Sequence, residues 1–500
     1  MAKDSFDRPR RISGFVWLLA AVAALAAVYG LFGALRQGPA PTIAIDVDRP
    51  AIGRATKIVA RFAEARRGLG NVKLELVAGE RVVPLGEKQF ARRGAYALTR
   101  GTPTADAALE ATVGSANVPG LQEGEVTIRA TADRMAGLFR SKAPIVVERK
   151  MAVHLRPPQL AVLSTQHYLR QGGAGVVLIQ TSAPQGRSGV VAGDVESLSF
   201  PVPGGDPQRR FVLYASPWEL SDPSRIKVFA EDEAGNRVEQ SFLTQFKPSP
   251  ARRDTIKIDD AFLQKVVPPI AANTPGMKTD GALIDQYVWI NSELRKQILA
   301  KIVELSRRTA PTMLWQGPFL QLKNSARRAG FAETRSYVYQ GRAVDTETHL
   351  GLDLASLAHA EVPAPNAGKV VYAGWFGIYG NAVLIDHGCG LMSLSGHMSS
   401  IAVKEGETVA RGQTIGASGS TGLAGGDHLH LEIFVQGKSV DPVEWLDEHW
   451  IKDNVLAKLE PGAASSAASA AAAPSAASEG TPLDTHRHRG TKTSRKHRAR

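Results

Sequence analysis

His349, Asp353, His397, His428 and His430, all of the metal-ligating kind, stand in three short strings. These are His349-Leu-Gly-Leu-Asp353, Ser395-Gly396-His397-Met398 and Asp427-His428-Leu429-His430-Leu431-Glu432. Acting together, they require three separated segments to meet at one point. Four histidines and an aspartate at these spacings can hold one metal ion and keep a base beside it. A catalytic zinc site takes three protein ligands and leaves one position open.

The last string is the easiest to place. His428-Leu-His-Leu-Glu-Ile-Phe-Val435 alternates and is rich in strand formers. In a strand, residues i and i+2 share a face, so His428 and His430 project together, with Cα atoms ~6.6 Å apart, while Leu429 and Leu431 pack behind. One can bind a metal while the other reaches the water or substrate beside it. His349 and Asp353 on a straight strand would lie ~13 Å apart, too far to share an ion whose bonds are ~2.0–2.2 Å. Leu350, Leu352 and Leu354 alternate, and a mid-helix glycine is unfavourable. The expectation is a bend at Gly351 leading into a strand at Asp353.

With the glycine-rich run Gly412-Gln-Thr-Ile-Gly-Ala-Ser-Gly-Ser-Thr-Gly422, the segment from about Trp315 to Trp445 resembles the LytM/lysostaphin-type zinc metalloendopeptidases that cut peptidoglycan cross-bridges. The matching string includes Gly368-Lys-Val, Tyr379-Gly-Asn381, His387-Gly, Gly396-His-Met, Val403-Lys-Glu-Gly406 and Gly419-Ser-Thr-Gly422, besides the two histidine strings. The resemblance implies a compact, mostly antiparallel β domain, with Zn2+ held by His349, Asp353 and His430. It implies His397 and His428 as catalytic histidines that do not bind the metal. Which of the two is the general base stays open. One departure is Ser395, where the family usually has Tyr; ring packing or substrate orientation is affected there, not the ligand set. The glycine-rich hairpins also resemble biotinyl/lipoyl carriers, but no carrier lysine hairpin is evident and the histidines would go unexplained. His387 and Asn381 are further candidates near the cleft, Glu432 reads as strand support, and His359 and Cys389 read as loop or turn residues.

The rest of the chain reads as delivery. Its 500 residues imply roughly three to four domains. Gly14–Leu35 is an uncharged apolar run of 22 residues, long enough to cross a bilayer as a helix and longer than the core of a cleaved signal. The basic flank 1–13 precedes it, so the N-terminus is expected in the cytoplasm and residues 37–500 outside. Short alternating runs over 42–150 and 151–248, without long helices, predict two β-sandwich modules, the second immunoglobulin-like. They serve as spacers or bind an envelope partner.

Residues 249–310 read as a helical linker, with a short helix Asp260 to Val267 ended by Pro268-Pro269 and a longer one from Ala282 to Arg307. Its position beside the metal strings makes it a candidate cover for the cleft. Residues 311–348 read as strands leading into a metal domain spanning 311–450. Residues 459–500 read as a disordered Ala/Ser linker and a basic tail. The net charge is +12, and the tail Thr485 to Arg500 carries seven of the cations and no acid. The folded body is therefore only mildly basic. The excess suits an anionic partner such as lipid headgroups or cell wall, and no nucleic acid is expected. A single cysteine excludes an intramolecular disulfide framework.

The fold class expected is mainly β, with one N-terminal transmembrane helix. The function expected from the resemblance is an inner-membrane, single-pass, periplasmic zinc endopeptidase acting on peptidoglycan peptide cross-links. The alternative is a LytM-like regulator that has lost catalysis and activates a cell-wall amidase. Such proteins typically lack one of the three ligand positions, and none is missing here. A third reading makes the chain an envelope spacer with hydrolysis secondary.

Overall fold

The structure, a computed structural model, describes residues 14–35, 40–64, 68–90, 104–133 and 143–459. The expected basic flank 1–13 lies outside them, as does all of the expected linker and tail except Leu459. The protein is mainly β, with 44% strand against 19% helix. Gly14–Leu35 forms one helix, and its Gly14–Phe32 window has a mean hydropathy of 2.3 with none of it buried against the protein. At ~1.5 Å per residue it is long enough for a ~30 Å hydrocarbon core.

Period-2 alternation builds the first sandwich. Thr42–Val47, Thr56–Ala63 and Asp106–Val113 form one antiparallel sheet. Arg81–Gln89, Asn71–Ala78, Gly124–Ala132 and Ile145–Val153 form the other, in that order. Ile58, Ala60 and Phe62 meet Val72, Leu74, Leu76 and Ile128 between them, while Lys57 and Arg61 face solvent.

The second module pairs the sheet Phe200–Pro201, Arg209–Ala215, Ala174–Thr181, Leu160–Val162 with the sheet Val195–Leu198, Arg187–Ala192, Ile226–Glu231, Arg237–Ser241. Val177, Ile179, Val212 and Tyr214 point into the sandwich. Val176, Leu178, Phe211 and Leu213 point the other way, onto Leu391, Ile433, Val435 and Trp445 of the C-terminal domain. The run Gly175-Val-Val-Leu-Ile therefore lacks polar alternation because both its faces are covered. This module is seated on its neighbour rather than held away from it.

Glu444 lies in that seam. It accepts a hydrogen bond from the Ala174 N–H at 2.9 Å, and a Cβ on Gly173 would fall 2.5 Å from its Oε1. Burial pushes its carboxyl up from 4.5 to about 8; Asp441 adds to this, while the Ala174 N–H and Arg170 oppose it. In the unfolded chain the carboxyl ionises near 4.5. Between about 4.5 and about 8 the unfolded state gains a charge that the folded state resists, so stability is lost as pH rises through that window. The thermal midpoint is expected to fall from pH 5 to pH 8. Glu444→Gln should flatten that fall by an amount on the order of a few kcal/mol, as read by calorimetry at each pH.

The stretch 249–310 departs from its reading as a helical linker. Arg252–Ile258 is a strand, parallel to Glu333–Tyr339, which pairs antiparallel with Arg342–His349. Its partner lies far along the chain, so local pattern did not disclose it. The helix Asp260–Ala272 runs through Pro268 and Pro269 instead of stopping before them. The carbonyls that these prolines leave unpaired belong to Gln264 and Lys265, which are exposed, so water can take the bonds. Buried Ile270 holds the last turn in the core. Leu283–Trp289, a π turn Ile290–Leu294 and Arg295–Ser306 form the long helix expected.

Both helices bury Leu263, Val266, Ile270, Tyr287, Leu294, Ile298 and Ile302 against Leu384, Met392, Leu394 and Phe434. They belong to the C-terminal core. Residues 311–325 contain no strand, contrary to expectation; Trp315 and Phe319 instead anchor that segment, both edge-on against Trp445.

The C-terminal sheet is antiparallel throughout, in the order Ala326–Ala329, Leu352–Ala355, Leu429–Val435, Leu391–Met398, Asn381–Gly388, Gly368–Trp375, Thr408–Val409. One face packs Leu352, Leu354, Leu429, Leu431 and Val383 on Val362, Val370 and Ile415. The other carries His430 and Glu432 at one end and Phe434 under the helices at the other.

Candidate metal centre

The strand Arg342–His349 ends at His349, the chain bends at Gly351, and the next strand begins at Leu352. A Cβ on Gly351 would fall 2.6 Å from Cε1 of His430, so the glycine both permits the bend and leaves room for the ring. Sheet register then places Asp353 opposite His430, and His430 opposite Gly396, the residue before His397. Local alternation faces the side chains; pairing between distant strands brings them together.

Three donor atoms converge. His349 Nε2 is 2.9 Å from Asp353 Oδ1 and 3.2 Å from His430 Nδ1, and His430 Nδ1 is 2.9 Å from Asp353 Oδ1. Zinc bonds of ~2.0–2.2 Å in a tetrahedron set ligand atoms ~3.4 Å apart, so this triangle fits one zinc ion after a small expansion.

The proton positions fit as well. A carbonyl only accepts, so His349 Nδ1–H donates to Gly330 O at 2.8 Å and leaves Nε2 its lone pair. His430 is turned the other way: its Nε2 faces Glu432 Oε2 at 3.3 Å, leaving Nδ1 to the site. Glu432 is fully buried and accepts from the Tyr379 hydroxyl and the Ser439 hydroxyl, each at 2.6 Å. Such outer partners fix the ligand ring and its tautomer.

Burial disfavours an ionised Asp353, but the close approach of the His349 and His430 rings outweighs it and holds the carboxyl well below its ordinary value. Burial likewise works against a charged His430, and the carboxylates of Asp353 and Glu432 outweigh it, pushing the ring up to about 9. His349, where burial dominates, is held below its ordinary value.

His397 and His428 stand beside the triangle. His428 Nδ1–H donates to Gly426 O at 2.9 Å, and its Nε2 lies 3.6 Å from Asp353 Oδ1. His397 Nδ1–H donates to Thr421 O at 2.8 Å. Its backbone is left-handed at φ +60°, a conformation that costs a non-glycine residue about 1–3 kcal/mol and persists only where the surroundings impose it. Burial, then the neighbouring His428 and His430, hold its ring well below the ordinary value, so it stays neutral. The ring centroids of His397 and His428 are 4.9 Å apart.

The other candidates lie elsewhere. His387 is buried between Ala367 O and the Ser393 hydroxyl. The Cys389 thiol is buried and pushed up to about 12, so it is not a reactive nucleophile. His359 is exposed near Asp427. Asn381 ties the site loops through Met398 O and the Thr421 hydroxyl. Ser395 faces Leu431, on the sheet face away from the metal triangle, so the departure there leaves the donors untouched.

Arg335 was not singled out from the sequence. Its guanidinium donates to Asp353 Oδ2 and to Glu333 Oε1, both at 3.1 Å. The only signal was its i+2 relation to Glu333, and its meaning depended on the pairing of Glu333 with His349. Arg335→Met is expected to weaken metal binding about 10–100-fold without unfolding the domain, as measured by chelator competition.

The site opens into a cavity of about 350 Å³, walled by Phe262, Tyr287 and Arg295 of the helices, by Arg328 and by Ile378 and Leu423. Lys265 of the first helix donates to Gly425 O at 3.0 Å across its rim.

Residues 347–442 match the profile of peptidase family M23. This is an M23 peptidase domain. Over 95 residues it is 41% identical to the DD-carboxypeptidase/endopeptidase Mpg of Neisseria meningitidis, covering 19% of this chain and 22% of that one. Over 96 residues it is 40% identical to the murein hydrolase activator EnvC of Escherichia coli, covering 19% of this chain and 23% of that one. The chain thus spans under a quarter of the length of these curated relatives. Among solved structures, a putative peptidase M23 from Pseudomonas aeruginosa aligns with 57% of this chain and 97% of its own at 21% identity, with a TM-score of 0.37.

Proposed function

We propose that this chain is a zinc-dependent endopeptidase that hydrolyses peptide cross-links of peptidoglycan, anchored in the inner membrane by residues 14–35 with residues 37–500 in the periplasm. The observation that carries the reading is the convergence of His349 Nε2, Asp353 Oδ1 and His430 Nδ1 on one point, with His397 and His428 beside it, each tied through Nδ1 to a backbone carbonyl. The apolar helix supports the anchor, and the likeness to a DD-carboxypeptidase/endopeptidase and to a murein hydrolase activator supports the substrate.

Zinc held by these three residues would polarise the scissile carbonyl and make a bound water acidic. The chain's own groups do the rest. Glu432, Gly330 and Arg335 keep the ligands in place. His428 and His397, each tied by Nδ1 to a backbone carbonyl, act at Nε2. One takes the proton of the attacking water; the pair stabilises the oxyanion and returns a proton to the leaving amine nitrogen. The helices narrow the cavity and exclude water from part of it.

A second reading is favoured by the EnvC likeness: a regulator that activates a cell-wall amidase without catalysis of its own. The intact donor set argues for the enzyme. The deciding experiment incubates the purified protein and zinc with peptidoglycan sacculi and reads released muropeptides by mass spectrometry. Release by the wild type, and none by His430→Ala, supports the peptidase. No bound zinc and no release supports the regulator. A protein partner reaching the sandwich modules belongs to either reading.

A further inference from the structure

We propose that Arg328 reads the substrate, its guanidinium binding a free carboxylate on the peptide beside the scissile amide. The proposal rests on the peptidase reading of the site. Ala326–Ala329 is the edge strand next to Leu352–Ala355, and its ladder slips between Arg327, opposite Leu354, and Ala329, opposite Asp353. Arg328 is the extra residue of that bulge. Bulges gather beside active sites, where the added residue is turned out of the ladder and its side chain re-aimed.

The outcome is visible along the strand. Arg327 does not line the cavity and Arg328 does. A charge on an edge strand also guards against edge pairing, but that role needs no bulge and no place in the cavity.

The electrostatics point the same way. Of the other cations lining the cavity, Arg335 is held by Asp353 and Glu333. Arg295 is held by the Asn291 carbonyl and side chain, with Glu347 at 3.8 Å. Arg328 is exposed and makes no hydrogen bond or ion pair among the described residues. Of the cavity's carboxylates, Glu333 and Asp353 are taken by Arg335, and Asp254 accepts from the Thr255 N–H. A guanidinium fork left free one residue from the strand position facing Asp353 is matched to a planar carboxylate.

The test uses two synthetic cross-linked stem peptides that differ only in one group beside the scissile amide, a free carboxylate in one and its primary amide in the other. Binding is measured by anisotropy on the zinc-loaded full chain in detergent, carrying His428→Ala to suppress turnover. The carboxylate peptide is expected to bind about tenfold tighter or better. Arg328→Ala should erase that preference and Arg328→Lys should keep part of it. With His428 intact, Arg328→Ala should lower kcat/KM for the acid about tenfold more than for the amide. Equal binding of both peptides by the parent protein, or a preference that survives Arg328→Ala, overturns the proposal. Tight, carboxylate-selective binding without cleavage by the wild type would uphold Arg328 and count against the peptidase reading instead.

Discussion

His430→Ala is expected to remove bound zinc and muropeptide release together, lowering turnover ~10³-fold or more, since the metal's charge stabilisation amounts to several kcal/mol. His430 supplies one of three donor atoms and is the point where Asp353, His349 and Glu432 meet. Two donors at 2.9 Å do not close a tetrahedral site. Glu432 keeps its bonds from Tyr379 and Ser439, so its buried charge stays partly compensated and the sheet is expected to remain folded. Metal analysis, far-ultraviolet circular dichroism and the sacculus assay on one preparation check all three parts. Zinc retained at full occupancy, with muropeptides still released, would refute the ligand assignment.

Shortening the chain to begin at residue 311 is expected to give insoluble protein rather than a deregulated enzyme. From position alone, the segment 249–310 is a candidate removable cover, and Phe262, Tyr287 and Arg295 do wall the cavity. The same helices also bury Leu263, Val266, Val267, Ile270, Leu294, Ile298, Ile302 and Leu305 against Leu384, Met392, Leu394 and Phe434. At roughly 1.5–3 kcal/mol per buried side chain, their removal costs as much as the ~5–15 kcal/mol by which a typical domain is stable. Gly377, left-handed at φ +54°, shows how close the contact is: a Cβ there would collide with Ile298. Loss of Arg252–Ile258 would also bare the edge of Glu333–Tyr339. Soluble yield and binding of a hydrophobic dye, compared with a chain beginning at residue 151, measure the effect. A soluble, monomeric and more active protein from 311 would mean the helices are a detachable lid.

The two outcomes separate what periodicity reports from what packing decides. The facing of His430 with Glu432 follows from alternation along the strand Leu429–Val435, with His428 at an isolated bridge just before it, because side-chain direction in a strand is a local property of the backbone. The bend at Gly351 was legible for the same reason: two donors on one short segment could not otherwise share an ion. The 22-residue apolar span was read from length and composition alone.

Other features were not available locally. Arg252–Ile258 looked like the start of a helical stretch because its strand partner is far away. Pro268 and Pro269 read as a stop because the exposure of the Gln264 and Lys265 carbonyls cannot be read from a list of residues. The apolar run of Ala174–Thr181 is consistent with two covered faces, but nothing in it says that the M23 domain covers one of them.

The residue types and the spacings within each strand set which side chains point toward a common site. The register between strands placed Asp353 opposite His430, brought Arg335 to Asp353, and lifted Arg328 into the cavity on a bulge. That register depends on the packing of both sheet faces and on partners far apart in the chain, and period-2 patterning alone carries no record of it.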